Sequence, residues 1–575
     1  MKTQTITQPA TGPEVAVMAA QPATQPMTGA DVIVRMLEAR GTQHVFTVSG
    51  AKIDKLFDAL HDSTIQTVVC RHEQNAAFIA GGVGRMTGKA GVAIATSGPG
   101  ITNLVTGLAT ANSEGDPVVA LGGAVPVSDR LKSVHQTIDS VSVCKPVTKY
   151  AAEVDSPTAT AEVLAAAFRA AESDRPGAAF ASLPMDVLVG GAQCKPISLG
   201  SVPEQGRAAE LSLHEAAHLI NAAKTPVVFL GLMASKPKEA DAIRSFLNDC
   251  SMPVVGTFQA AGAISYELFP YFAGRVGQIA NQPADEVLNT ADLVITIGYD
   301  PVEYWASLWN EGRERAIVHI DAVPAEITND YVPAVELVGT IHETLAALTP
   351  LLRKPPINST TKALLSRIAH DRQQMRAEAA TLSAVPIHPL RIVAELQDIL
   401  TPDVTVCSDM GSFSMYLARY LYSFRARQFL ITNGQQTLGV ALPWGIAATL
   451  VRPNEKVLSI SGDGGFLFSA NELETAVRLK SHLVHMIWID GSYNMVASQE
   501  RIKYHRTSGV DFGPVDYVKY AEAFGATGLQ IQSPDQITST LRKAFDTPGP
   551  VLVGVHVDYT QNVKLFEQVY PGSIL

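Results

Sequence analysis

From Gly29 onward, short β-branched runs alternate with alanine-rich helical stretches, and this rhythm constrains the chain more than any single motif. A strand, a helix and a second strand running the same way form a right-handed crossover. Repeated crossovers build a parallel sheet covered on both faces. The clearest strands of a first block are 66–70, 91–96 and 118–122, each ending in a Gly, Ser or acidic loop. A looser stretch, 197–207, carries Gly200, Pro203 and Gly206 and leads to a second block with strands at 227–230, 253–256, 293–297 and 317–320. After Pro355-Pro356 and a charged helical segment, a third block begins near His388.

The expected architecture is therefore α/β, with three doubly wound parallel-sheet domains at 29–195, 208–352 and 388–560, a linker at 353–387 and a C-terminal tail at 561–575. Three units suit a chain of 575 residues. Residues 1–28, rich in Thr, Pro, Gln and Ala, read as a disordered tail. Forty-four basic against 55 acidic side chains leave a net charge of -11, a poor match to nucleic acid. Five cysteines spaced 50 or more residues apart suggest neither a disulfide framework nor a CxxC metal site, which fits a reducing cytoplasm. The longest apolar run, 438–451, is too short to span a membrane and contains Pro443.

Chemistry concentrates in the third block. Residues 457–465 read as a buried strand entering Gly462-Asp463-Gly464-Gly465, and Ser469 with Glu472 has the S-x-x-E spacing of a capping box before the next helix. A second strand, 483–489, ends at Asp490-Gly491-Ser492-Tyr493-Asn494. In one right-handed crossover, Asp463 and Asp490 fall at the same end of parallel strands about 4.8 Å apart if adjacent. Two carboxylates at that spacing call for a cation, and hard oxygen donors beside a phosphate suit magnesium. The glycines let the backbone approach a diphosphate, and a helix start adds partial positive charge.

Gly462-Asp463-Gly464, followed 27 residues after Asp463 by Asp490 and then Asn494, resembles the diphosphate-and-magnesium motif of thiamin diphosphate enzymes. The resemblance implies a metal held by Asp463, Asp490 and the carbonyl of Ser492. Asp at the second position is found in the acetolactate synthase branch. It also implies a glutamate after a first-block strand that activates the cofactor's aminopyrimidine, and Glu73 in Arg71-His72-Glu73-Gln74-Asn75 supplies it. Without the metal motif, Glu73 would read as a first-turn acid on the helix dipole. The Ala/Gly-rich helix that follows has side chains small enough for close packing, expected against a partner subunit.

Further segments are similar to the flavin-free catabolic acetolactate synthases: Gly50-Ala51-Lys52-Ile53, Ser97-Gly98-Pro99-Gly100, Val134-His135-Gln136, Asp409-Met410-Gly411, Asn433-Gly434-Gln435-Gln436-Thr437-Leu438-Gly439 and Tyr493-Asn494-Met495-Val496. They imply that Asp409, Met410, Gln436 (through its carbonyl), Leu438 (as the wedge bending the cofactor), Gly462, Gly464, Gly465, Tyr493, Asn494 and Met495 bind thiamin diphosphate. Lys52, Gln136 and Gln499 fall near the substrate, with Gln136 also in a catalytic role. The implied reaction joins two pyruvates to 2-acetolactate with loss of carbon dioxide, in a homodimer or homotetramer whose sites lie between subunits. No flavin is expected, because Asp300-Pro301-Val302-Glu303-Tyr304 stands where flavin-containing relatives carry an arginine-containing run.

Departures also occur. Thr47-Val48-Ser49-Gly50 replaces Gly-x-Pro-Gly and would put two hydroxyls on a loop facing the cofactor; Ser414 replaces a common His and Gly491 a common Asn. These leave open a carboligase with a different keto-acid, ketone or aldehyde acceptor, a pyruvate oxidase or decarboxylase, or a non-catalytic relative.

Overall fold

The computed structural model describes residues 27–200, 202–279, 282–353 and 357–562. Strands β1 (His44–Val48), β2 (Gln66–Val69), β3 (Gly91–Ala95), β4 (Val118–Ala124), β5 (Tyr150–Glu153) and β6 (Ala178–Pro184) form the first sheet, ordered β2-β1-β3-β4-β6-β5. The middle sheet contains β7 (Pro226–Leu230), β8 (Val254–Gly256), β9 (Phe272–Arg275), β10 (Leu293–Ile297), β11 (Ala316–Asp321) and β12 (Val335–Val338), ordered β12-β11-β10-β7-β8-β9. The third is built from β13 (Val404–Ser408), β14 (Phe429–Ile431), β15 (Lys456–Gly462), β16 (Leu483–Ile489), β17 (Thr527–Ile531) and β18 (Val551–His556), ordered β14-β13-β15-β16-β18-β17. Every pairing is parallel. The chain thus forms three α/β sheets, and the first and third share one strand order. Central strands such as β3, β4 and β10 are buried along their whole length, as sheets covered on both faces require.

The first and third units share a core. A single apolar cluster runs from Phe78 and Leu108 to Trp444, Ala447 and Phe466. Its centre is the crossing of the helix Glu73–Thr87 with the helix Ala441–Val451. A Cβ at Gly82 would lie 2.8 Å from Ala447 Cβ and 3.0 Å from the Trp444 ring, so the crossing requires glycine there. The small-residue helix therefore packs on the third unit of its own chain, which corrects the expectation of a partner subunit at that face.

Other local readings also change. Met27 and Thr28 belong to the folded unit: Met27 O accepts from Ala192 N at 2.7 Å, and Thr28 forms a capping box with Asp31 on the helix Gly29–Ala39. Residues 1–26 of the expected tail lie outside the described residues, as do 563–575 of the C-terminal one. Thr47 sits inside β1, fully buried, and not on the loop. Ser469 and Glu472 form no capping box. Ser469 Oγ donates to Gly439 O, while the buried Glu472 carboxylate accepts from Arg71 N, from Asn75 Nδ2 at 2.9 Å and from Thr475 Oγ1 at 2.7 Å. Glu472 thereby pins the third unit to the loop that precedes Glu73. Among the described residues, no helix is long and apolar enough to cross a membrane.

Candidate active site

Open parallel sheets bind ligands outside the carboxyl ends of their strands, where the strand order reverses. In the third sheet that point lies between β13 and β15, and a cavity of about 330 Å³ opens there. It is lined by Met410, Gln436, Leu438, Gly462, Asp463, Gly464, Gly465, Asp490, Ser492, Tyr493, Asn494, Met495 and Gln499, with Phe413, Val496 and Tyr559 among the rest. Sequence reasoning assigns no role to the last three.

Strand register brings the two acids together. Gly462 pairs with Trp488, so Asp463 and Asp490 leave adjacent strands at the same end. Asp463 Oδ2 accepts from Asp490 N at 3.1 Å and Gly491 N at 2.7 Å, while Oδ1 accepts from Gly464 N at 2.9 Å. Asp490 Oδ2 accepts from Ser492 Oγ at 2.9 Å. Burial, with the Asp463 charge second, pushes the Asp490 carboxyl up to about 6, and burial also raises Asp463. Two partly desolvated carboxylates that disfavour each other's ionised form are a fitting donor set for a hard divalent cation. Gly491 has φ +75°, a left-handed conformation suited to glycine, and it lets the turn aim both N–H groups at Asp463.

Side chains have no room at the glycines of the floor. A Cβ at Gly464 would lie 2.7 Å from the Tyr493 ring, and one at Gly465 would lie 2.8 Å from Asp409 Oδ2. The helix following β15, Asp463–Leu467, is a single short turn, so the field expected from a helix start is small here. Asn494 Oδ1 accepts from Ser412 Oγ at 2.9 Å and Asn562 Nδ2 at 2.9 Å. Asn562, placed in the tail by sequence, is thus a buried support of the site.

Asp409 does not line the cavity. Its carboxylate, fully buried and raised to about 7 by desolvation, accepts from Gly439 N at 2.9 and 3.0 Å and from Met410 N at 2.9 Å. It therefore anchors the end of the loop that presents Gln436 and Leu438. Ser414 Oγ donates to Gly411 O at 2.7 Å.

The first-unit candidates cluster elsewhere, after the carboxyl ends of β1, β2, β3 and β4. Glu73 opens its helix and is nearly buried, and Asn103 Nδ2 donates to its Oε2 at 2.9 Å. Ser97 Oγ donates to the exposed Gln136 Oε1 at 3.3 Å, and Lys52 packs beside Gly123. None of Glu73, Gln136 or Lys52 lines the third-unit cavity.

Comparison with known proteins resolves the family. Residues 27–143, 213–348 and 409–555 match the N-terminal TPP binding domain, the central domain and the C-terminal TPP binding domain of thiamine pyrophosphate enzymes. The chain is 51% identical over 548 residues to the catabolic acetolactate synthase of Raoultella terrigena, covering 95% of this chain and 98% of that one. The chain belongs to the acetolactate synthases. It is also 46% identical over 546 residues to the acetolactate synthase of Bacillus subtilis, covering 94% and 95% of the two chains. A probable acetolactate synthase large subunit of Methanococcus aeolicus is 30% identical over 584 residues. For an acetolactate synthase, the shared strand order of the first and third units fits their roles as the two cofactor-binding domains.

Proposed function

We propose that this enzyme condenses two pyruvates into 2-acetolactate and carbon dioxide, using thiamin diphosphate held through magnesium. The observation that carries the reading is the convergence of Asp463 and Asp490 on one cavity, within a chain matching catabolic acetolactate synthase over nearly its whole length. Asp463, Asp490 and the carbonyl of Ser492 would hold the metal, and Met410, Gln436, Leu438, Gly462, Gly464, Gly465, Tyr493, Asn494 and Met495 would hold the cofactor. Bound there, thiamin diphosphate supplies the electron sink that lets a 2-keto acid lose carbon dioxide and its carbonyl carbon act as a nucleophile.

This chain's residues do the rest. Leu438 and Gln436 both line the cavity, Gln436 at φ +47°. Glu73, oriented by Asn103, would hold and return a proton at the pyrimidine ring of the bound cofactor. Gln136, Gln499 and Lys52 would orient the substrates, and covering of the site in the assembly would exclude the water that ends the reaction early.

The acting unit is a homodimer or a pair of dimers. Glu73 and Gln136 lie off a cavity lined by the third unit, whose neighbourhood leaves Leu467, Phe468, Tyr493 and Val496 exposed in the single chain. A second copy covers those apolar side chains and brings its own Glu73.

No flavin takes part. In the middle sheet the switch point lies between β7 and β10, and there Glu303 accepts from Thr257 Oγ1 at 2.6 Å and Leu232 N at 2.9 Å. The chain's own carboxylate therefore takes donors that a dinucleotide phosphate would need. Thr47 is withdrawn into β1 and cannot reshape the acceptor pocket directly, whereas Ser49 stays exposed on the loop that follows. We place the enzyme in the cytoplasm, where five free thiols remain reduced.

The test is pyruvate consumption with thiamin diphosphate and magnesium, with the product identified by mass spectrometry. 2-Acetolactate from pyruvate alone supports the reading; acetaldehyde, acetyl phosphate or a mixed-acceptor product in its place overturns it.

A further inference from the structure

We propose that Glu114, in the first unit, is a positioning residue for the loop of its own chain that presents Gln436 and Leu438. This rests on the reading that those two residues hold and bend the cofactor.

The loop runs from the end of β14 at Ile431 to the helix beginning at Ala441. It contains a strained residue, Gln436, whose φ of +47° lies in a region that side-chain-bearing residues rarely adopt. Such a conformation persists only where the surroundings over-determine it. The surroundings here come from two buried carboxylates. Asp409 holds the far end through Gly439, as described above. Glu114, 1% exposed, holds the near end, where its Oε1 accepts from Thr432 Oγ1 at 3.1 Å, Asn433 N at 2.8 Å and Gly434 N at 2.9 Å.

Glu114's remaining contacts also favour this role. Its Oε2 accepts from Arg85 Nη2 at 3.0 Å, and Arg85 Nη1 donates to Ile431 O at 2.9 Å, immediately before the loop. Gln259 of the middle unit also donates to Oε2, and Gln278 Nε2 donates to Asn433 Oδ1 at 2.8 Å. A Cβ at Gly434 would lie 1.9 Å from Ser113 Oγ, so the loop is pressed against the residue preceding Glu114. Midway, Thr437 Oγ1 lies 2.7 Å from Thr110 Oγ1. All three units thus meet at one carboxylate, and its donors on the third unit are consecutive residues of the cofactor loop.

Only a carboxylate satisfies the site. Five donors converge on two oxygens, and an amide at this position turns its NH2 group toward either Arg85 and Gln259 or the loop N–H groups. Neutralising Glu114 therefore frees the near end of the loop while leaving the metal acids, Glu73 and the glycine floor intact.

The experiment compares Glu114→Gln and Glu114→Ala with Asp116→Asn, all as full-length enzyme. Asp116 shares Arg85, accepting from its Nε at 2.7 Å, and among the described residues its carboxylate accepts no hydrogen bond from the loop. Three readouts apply: thiamin diphosphate affinity at fixed magnesium by calorimetry, the near-ultraviolet circular dichroism of the bound aminopyrimidine, and kcat separated from KM for pyruvate. For E114Q we expect cofactor affinity near wild type, an altered dichroism band and a kcat lowered about 100-fold, as misplacement of about 1 Å can cause. D116N keeps the wild-type band and kcat.

If E114Q keeps both band and kcat, or if D116N loses them equally, the proposal is overturned and Glu114 is a general packing residue. E114Q preserves side-chain volume, so the comparison stands even if E114A fails to fold. A wild-type enzyme that bound thiamin diphosphate but made no acetolactate would instead sink the functional reading; the dichroism comparison would still decide the role of Glu114.

Discussion

The backbone N–H of Asp490 donates to Asp463 Oδ2 at 3.1 Å, so the second acid of the proposed metal pair helps orient the first. Asp463 accepts N–H donors on both oxygens, whereas Asp490 accepts from Ser492 on one. The two acids should therefore respond differently to amidation. In Asp463→Asn the new NH2 group faces N–H donors, and magnesium-dependent cofactor affinity should fall about 100-fold, against about tenfold for Asp490→Asn. Calorimetric titration at several magnesium concentrations checks this; equal losses would contradict the asymmetry.

Glu73→Gln keeps the shape of the side chain and its contact with Asn103 but removes the titratable proton. The expected result is a kcat lowered by about 10² to 10⁴, with thiamin diphosphate still bound. Full carboligase activity in this variant would remove Glu73 from the mechanism.

Asp409 sets a pH dependence of stability. Burial raises its folded-state pKa to about 7, above the usual unfolded value of about 3.9, so the folded chain binds the proton more tightly. Its contribution is complete below about pH 4 and lost as pH rises through about 7, at up to about 1.4 kcal/mol per pH unit. The melting temperature of wild type minus that of Asp409→Asn should therefore decline from pH 5 to pH 8. A constant difference across that range would show that the carboxyl does not titrate there.

Gly82 sits at the crossing of the helices Glu73–Thr87 and Ala441–Val451. In Gly82→Leu the added side chain meets Ala447 and Trp444, and overpacking of this kind costs about 1–3 kcal/mol. Denaturant unfolding should show the loss in the transition that includes the first and third units. An unchanged midpoint would mean that the crossing yields freely.

Much of this architecture is legible in the sequence because parallel sheets leave a periodic trace. Strand 293–297 is predicted to the residue, and the meeting of Asp463 with Asp490 follows from the length of one crossover. Contacts distant in sequence leave no such trace. Glu472 has the spacing of a local cap, yet its partners Arg71 and Asn75 stand some 400 residues away, and only the folded chain reveals them. Thr47 reads as loop because a glycine pattern had been expected around it, whereas its β-branched side chain continues β1. Glu114 stands in an ordinary helix-ending segment, and its five donors come from all three units.

The helix Pro99–Ser113 has Asn103 on Glu73 near its start and Glu114 just past its end. Fifteen residues of α-helix span about 22 Å. In the proposed dimer Glu73 serves the partner's cavity, while Glu114 braces the loop of its own chain. One rod thus ties the support of Glu73 to the brace of the cofactor loop, and the helical rise sets the distance between those two supports. An insertion or deletion within that helix would shift both supports at once, whereas changes in the loops around either one stay local.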